Sequence, residues 1–97
     1  PSDGHGVLAG AIITTKDEPV PDVRITLSLA SNPNRAFRYI SSYPRQGIAS
    51  DPAWSENFAA GELPAGEWLV VAYHNGRSAQ SVVTVRPGAT TYLALRL

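Results

Sequence analysis

The run Trp68-Leu69-Val70-Val71-Ala72-Tyr73 contains no polar residue and is closed at both ends by turn signals. It is too short for a buried helix and has the length of a strand. Upstream, Leu63-Pro64-Ala65-Gly66 has proline second and glycine fourth, the order of a type I turn. Downstream, His74-Asn75-Gly76-Arg77 centres on Asn-Gly, which suits a type I′ hairpin because both central residues there take positive φ. An apolar run without alternation predicts a strand covered on both faces, hence a central one. Segment 61–73 is therefore the element around which the rest of the chain is expected to pack.

The rest of the chain reads as further strands. Eight prolines and eight glycines fall at short intervals and leave little room for a helix of three turns. Residues 7–14 are rich in Ile, Val and Thr, with Gly10 in their middle, where a glycine serves a bulge or a close backbone approach. Pro19-Val20-Pro21-Asp22 reads as a turn or irregular edge. In 23–29, Val23, Ile25, Leu27 and Leu29 alternate with Arg24, Thr26 and Ser28, as in a strand with one buried face. Residues 37–42 predict a short third strand inside an irregular insertion, 31–53. A fourth, 54–60, puts Trp54, Glu56, Phe58 and Ala60 on one face, with Glu56 marking an exposed end. Residues 79–85 pair back on the central run. Pro87-Gly88 fits a type II turn, and 91–97 turns Leu93, Leu95 and Leu97 inward.

Seven short strands separated by turns predict an all-β fold, a seven-stranded antiparallel sandwich of two sheets. The expected core is Leu8, Ile12, Val23, Ile25, Leu27, Phe58, Leu63, Trp68, Val70, Val83, Val85, Leu93 and Leu95. At 97 residues the chain is expected to form a single domain, 1–97, with 1–6 as a flexible tail. Without cysteine it has neither a disulfide framework nor a Cys-based metal site. Eight basic residues balance eight acidic ones, and no basic run provides a footprint for nucleic acid. No apolar run approaches the ~20 residues of a membrane helix, so no membrane insertion is expected. The chain begins at proline and shows no signal peptide, so it is expected to be a processed product or a domain of a longer protein.

The order of these motifs resembles that of carboxypeptidase regulatory-like domains. Leu8-Ala9-Gly10-Ala11-Ile12, then Pro19-Val20-Pro21-Asp22-Val23-Arg24-Ile25-Thr26-Leu27, resembles the opening of that family. The stretch from Trp54 to Phe58, followed by Leu63-Pro64-Ala65-Gly66-Glu67-Trp68, resembles its hallmark of a Phe-ended strand running into Leu-Pro-x-Gly and an aromatic-led central strand. Val83-Thr84-Val85-Arg86-Pro87-Gly88 and Leu93-Ala94-Leu95 resemble its closing pair. Where the family often has Thr-Asp-x-x-Gly-x-Phe, this chain has Ser50-Asp51-Pro52-Ala53-Trp54, without the glycine. The resemblance implies a transthyretin-like sandwich serving as an accessory module of an exported protein: periplasmic, cell-surface or secreted.

No catalytic set stands out, so the chain is not expected to be an enzyme. His5 falls in the expected tail and His74 in the hairpin turn, and no HExxH, P-loop or Gly-x-Ser-x-Gly motif occurs. Hydroxyisourate hydrolases share the transthyretin shape but end in Tyr-Arg-Gly-Ser, whereas this chain ends Leu95-Arg96-Leu97. Asp17, Glu18 and Asp22 supply the oxygen ligands a calcium ion takes, although a solvated loop is the simpler reading. The only lysine, Lys16, lies in a turn, and the last strand holds no Asn or Asp, so no isopeptide cross-link is expected. No cofactor is implied.

The candidate binding patch is Phe37, Tyr39, Tyr43 and Trp54 with Arg38, and Arg35 and Arg45 lie nearby. Exposed together, these aromatics form a stacking platform for sugar rings or a docking surface for another domain; buried, they close one end of the core. Three functional expectations follow, of which the third, a small hydrolase of transthyretin shape, is weakened by the missing Tyr-Arg-Gly-Ser tail. The first is a non-catalytic module that binds a neighbouring domain or protein partner. The alternative is a carbohydrate-binding module for polysaccharide, using the aromatics of 37–54.

Overall fold

The alternation at 23–29 and the apolar run at 68–73 meet as neighbours in one sheet. The computed structural model describes residues 3–16, 18–42 and 58–97. They form seven strands: β1 (His5–Ile13), β2 (Arg24–Leu29), β3 (Arg38–Ser41), β4 (Phe58–Pro64), β5 (Gly66–His74), β6 (Arg77–Val85) and β7 (Thr90–Arg96). One sheet has the order β4-β1-β7 and the other β3-β2-β5-β6. Between them lie Leu8, Ile12, Val23, Ile25, Leu27, Phe58, Leu63, Trp68, Val70, Val85 and Leu95, all buried, with Val83 and Leu93 packed against them. The expected two-sheet sandwich is present, and its core is the expected one with Ala60 and Ala72 added. Among the described residues no helix is long and apolar enough to cross a membrane.

One pair of strands differs in direction from the all-antiparallel expectation. β7 runs parallel to β1, from Val7 opposite Thr90 to Ile13 opposite Arg96. Pro87-Gly88 forms the expected turn, with Gly88 at φ 69° and Ala89 N–H donating to the Arg86 carbonyl at 3.3 Å, and this turn carries the chain from one sheet to the other. Gly88 N–H donates to the His5 carbonyl at 2.8 Å, and Val7 N–H to the Ala89 carbonyl at 2.9 Å. Had β7 stayed beside β6, the other sheet would have two strands and leave part of the core bare.

Leu63-Pro64-Ala65-Gly66 is a corner between sheets rather than a type I turn. β4 continues through Pro64, and β5 starts at Gly66 in the opposite sheet. Trp68 ties the corner down: its ring lies in the core and its Nε1–H donates to the Pro64 carbonyl at 2.9 Å. Ala65 N–H donates to the Gly4 carbonyl at 2.8 Å. By contrast, the Asn75-Gly76 hairpin forms as expected, with φ of 50° and 79°.

The strand covered on both faces is β1, not β5. Every residue from Leu8 to Ile13 is buried, because the small Ala9, Gly10 and Ala11 sit between β4 and β7. Gly10 is where β7 approaches closest. A Cβ there would run into the Leu93 carbonyl and come within 3.0 Å of Phe58 Cε1. In β5 the apolar run alternates: Trp68, Val70 and Ala72 face the core, while Leu69, Val71 and Tyr73 face outward.

The expected tail at 1–6 is shorter, since His5 and Gly6 already belong to β1. β3 occupies 38–41 of the expected insertion, and residues 43–57 lie outside the described residues. Buried Ser42 joins this region to the sandwich. Its hydroxyl accepts from Val23 N–H and donates to the Val20 carbonyl, each at 2.8 Å. Two backbone groups are thereby satisfied away from water.

Candidate functional site

A strand places alternate residues on opposite faces, and β3 separates the expected patch on that rule. Arg38 and Ile40 turn inward, while Tyr39 and Ser41 turn outward. Arg38 spans the gap between the two sheets: its Nη1 donates to the Gly61 carbonyl of β4 at 2.6 Å. Its guanidinium also lies over the Phe37 ring, 5.6 Å from the centroid. Phe37 precedes the strand and stands edge-on to Trp68, with centroids 4.9 Å apart and planes at 76°. It is 48% exposed. Phe37 and Arg38 therefore close one edge of the core. Tyr43 and Trp54 lie outside the described residues.

Tyr39 belongs to a different surface, the outer face of the sheet β3-β2-β5-β6. Register places Tyr39 opposite Thr26, Thr26 opposite Val71 and Val71 opposite Gln80. The next row along is Ser41, Arg24, Tyr73 and Ser78, and on the other side Leu69 faces Val82. Tyr39 is 70% exposed, Tyr73 50% and Val82 52%. Tyr73 and Val82 were not singled out from sequence. The signal was present nonetheless: every second residue of an apolar strand is exposed when only one face is covered.

Elsewhere the described residues offer little concentrated chemistry. His5 Nδ1 donates to the Asp3 carbonyl at 3.0 Å, and Asn75 Nδ2 donates to His74 Nε2 at 3.2 Å. The two histidines occupy β1 and the end of β5. Glu18 and Asp22 are exposed and Asp17 is outside the described residues. Among those described, no three His, Cys, Asp or Glu side chains gather to hold a metal. Lys16 is exposed just beyond β1. Among the described residues every buried side-chain nitrogen or oxygen has a hydrogen-bond partner. A shallow groove at one end is lined by Leu29, Asn32, Arg35, Ala36 and Phe37.

No protein-family model and no curated protein matches the sequence. Among solved structures, the Bacillus anthracis TIE protein contains a similar fold, with a TM-score of 0.67 over 96% of this chain. The two are 19% identical, and this chain spans 16% of the length of that one. At such identity the likeness shows the fold alone: an all-β sandwich.

Proposed function

We propose that this chain is a non-catalytic accessory module of a larger exported protein, orienting or recruiting a neighbouring domain or protein partner. The observation that carries this reading is the outer face of β3-β2-β5-β6, where Tyr39, Tyr73 and Val82 are at least half exposed. Rigid amphipathic rings on a fixed scaffold suit contact with another surface. The motif order favours the carboxypeptidase regulatory-like kind of module. In the Bacillus anthracis neighbour the similar fold is a minor part of a longer chain, the arrangement an accessory domain would have. The test is hydrolysis of ester, peptide and ureide substrates by the purified chain. Rates equal to buffer are expected. Turnover that co-purifies with the folded chain and saturates with substrate sinks the reading.

A polysaccharide ligand is the second reading, and the outer face moves its location. Tyr39 stands beside Thr26, and Tyr73 beside Arg24 and Ser78, so each ring has hydrogen-bonding side chains next to it. On this reading the stacking surface is Tyr39 and Tyr73 rather than Phe37. In pull-downs with insoluble polysaccharides, Tyr39→Ala and Tyr73→Ala are each expected to weaken retention about tenfold or more. Retention indifferent to both changes removes the sugar reading.

A further inference from the structure

Among the described residues the sandwich has four edge strands, and they are not alike. β3 is four residues long and directs a charge inward, Arg38. β4 is interrupted by a bulge: its pairing with β1 shifts register between Gly6 and Leu8, and Glu62 opposite the shift has φ of 55°. Its Gly61 carbonyl is occupied by Arg38. β7 carries a charge, Arg96, on its exposed side. Short length, inward charge, bulges and edge charges are the devices by which sheet edges avoid pairing with other chains. β6 has none of them between Ser78 and Val85: the sequence Ser-Ala-Gln-Ser-Val-Val-Thr-Val holds no charge, proline or glycine.

The register shows which groups this edge offers. A two-residue Asn75-Gly76 loop makes His74 and Arg77 a hydrogen-bonded pair, and antiparallel pairs alternate from there. Residues 79, 81, 83 and 85 therefore bond to β5, while the N–H and C=O groups of Ser78, Gln80, Val82 and Thr84 point away from it. An independent contact agrees: Thr91 Oγ1 reaches the Thr84 carbonyl from β7 at 2.8 Å. Among the described residues nothing else bonds to that row.

We propose that this edge of β6 pairs antiparallel with β6 of a second copy, joining two four-stranded sheets into one of eight. The row is self-complementary. With the two-fold axis at Ser81, Gln80 faces Val82 of the second copy and Ser78 faces its Thr84, so outward groups meet outward groups. The absence of charge from 78 to 85 means no like charges are opposed. Across the joint, each Leu69–Val82 pair would continue into Gln80 and Val71 of the other copy. The contact is one strand wide, well below the area of an obligate interface, so assembly depends on concentration.

The test is sedimentation of the 97-residue chain from micromolar to near-millimolar concentration, together with amide hydrogen exchange. The expected result is a rise to twice the monomer mass, with the Ser78, Gln80 and Val82 amides protected in the dimer. Gln80→Pro removes an outward N–H without breaking a bond to β5, a position where edge strands accept proline. The double variant Gln80→Lys with Val82→Lys puts lysine opposite lysine twice across the axis. Both variants are expected to stay monomeric at concentrations where the parent is dimeric, with unchanged far-UV circular dichroism. A parent chain that remains monomeric, with those three amides exchanging freely, overturns the proposal and leaves the edge to a strand from a different protein. A dimer that persists in either folded variant overturns it as well.

Discussion

Trp68→Ala is expected to cost about 3–5 kcal/mol, the range for removing a fully buried large aromatic side chain. The indole is completely buried in the core. Truncation also leaves the Pro64 carbonyl without its Nε1–H donor and Phe37 without the ring it stands against. Domains of this size have a total stability of about 5–15 kcal/mol, so the variant sits near the edge of folding. With a urea dependence of about 1–3 kcal/mol per molar, the denaturation midpoint falls by about 2 M. Trp68→Phe keeps much of the apolar volume and loses the hydrogen bond, so it should fall between the parent and the alanine variant. A midpoint for Trp68→Ala within the error of the parent would show that the corner between β4 and β5 does not depend on this ring.

The second large effect is expected from the smallest change. Gly10→Ala adds one carbon where the Leu93 carbonyl and the Phe58 ring already stand. The Leu93 carbonyl belongs to a strand backbone, so relief requires β7 to shift as a whole. Overpacking of this kind costs about 1–3 kcal/mol and more when backbone is in the way. At about 4–8 °C per kcal/mol for a domain of this size, the melting temperature should drop by 10 °C or more. Gly61→Ala is the matched control. A Cβ there meets nothing within 4 Å, so the variant should melt within a few degrees of the parent. Equal melting temperatures for the two variants would contradict the close approach of β1 and β7.

Local chemistry was legible wherever the physics is local. The alternation of Val23, Ile25 and Leu27 marked their common face, and Asn75-Gly76 marked a hairpin because its backbone angles suit those two residues. Pairing direction was not legible. Side-chain periodicity is the same in parallel and antiparallel strands, so nothing in 90–96 announced that β7 would lie parallel to β1. The corner at Leu63-Pro64-Ala65-Gly66 was read as a type I turn for a related reason. Proline and glycine show that the chain bends, but not which sheet it enters next. The apolar run in β5 suggested cover on both faces, whereas the strand so covered is β1, where alanine and glycine carry little hydrophobic signal.

Among the described residues of the candidate patch, Tyr39 parts from Phe37 and Arg38, with which it was grouped by nearness in sequence. Phe37, Arg38 and Tyr39 are consecutive, yet the pleat of β3 sends Tyr39 to the outer face and Arg38 to the inner edge. The neighbours Tyr39 acquires instead, Thr26 and Val71, come from other strands. The surface is therefore a product of register, and register depends on the whole sheet.

The parallel pairing of β1 with β7 also fixes how the domain responds to tension. Because the two strands run the same way, the chain enters at one end of the sandwich and leaves at the other. A pull on both termini draws β1 and β7 past each other along their length. Seven rungs, from Val7 with Thr90 to Ile13 with Arg96, then share the load in shear instead of unzipping one at a time. Set in series within a longer polypeptide, the domain would behave as a mechanical clamp whose grip is the first strand held against the last.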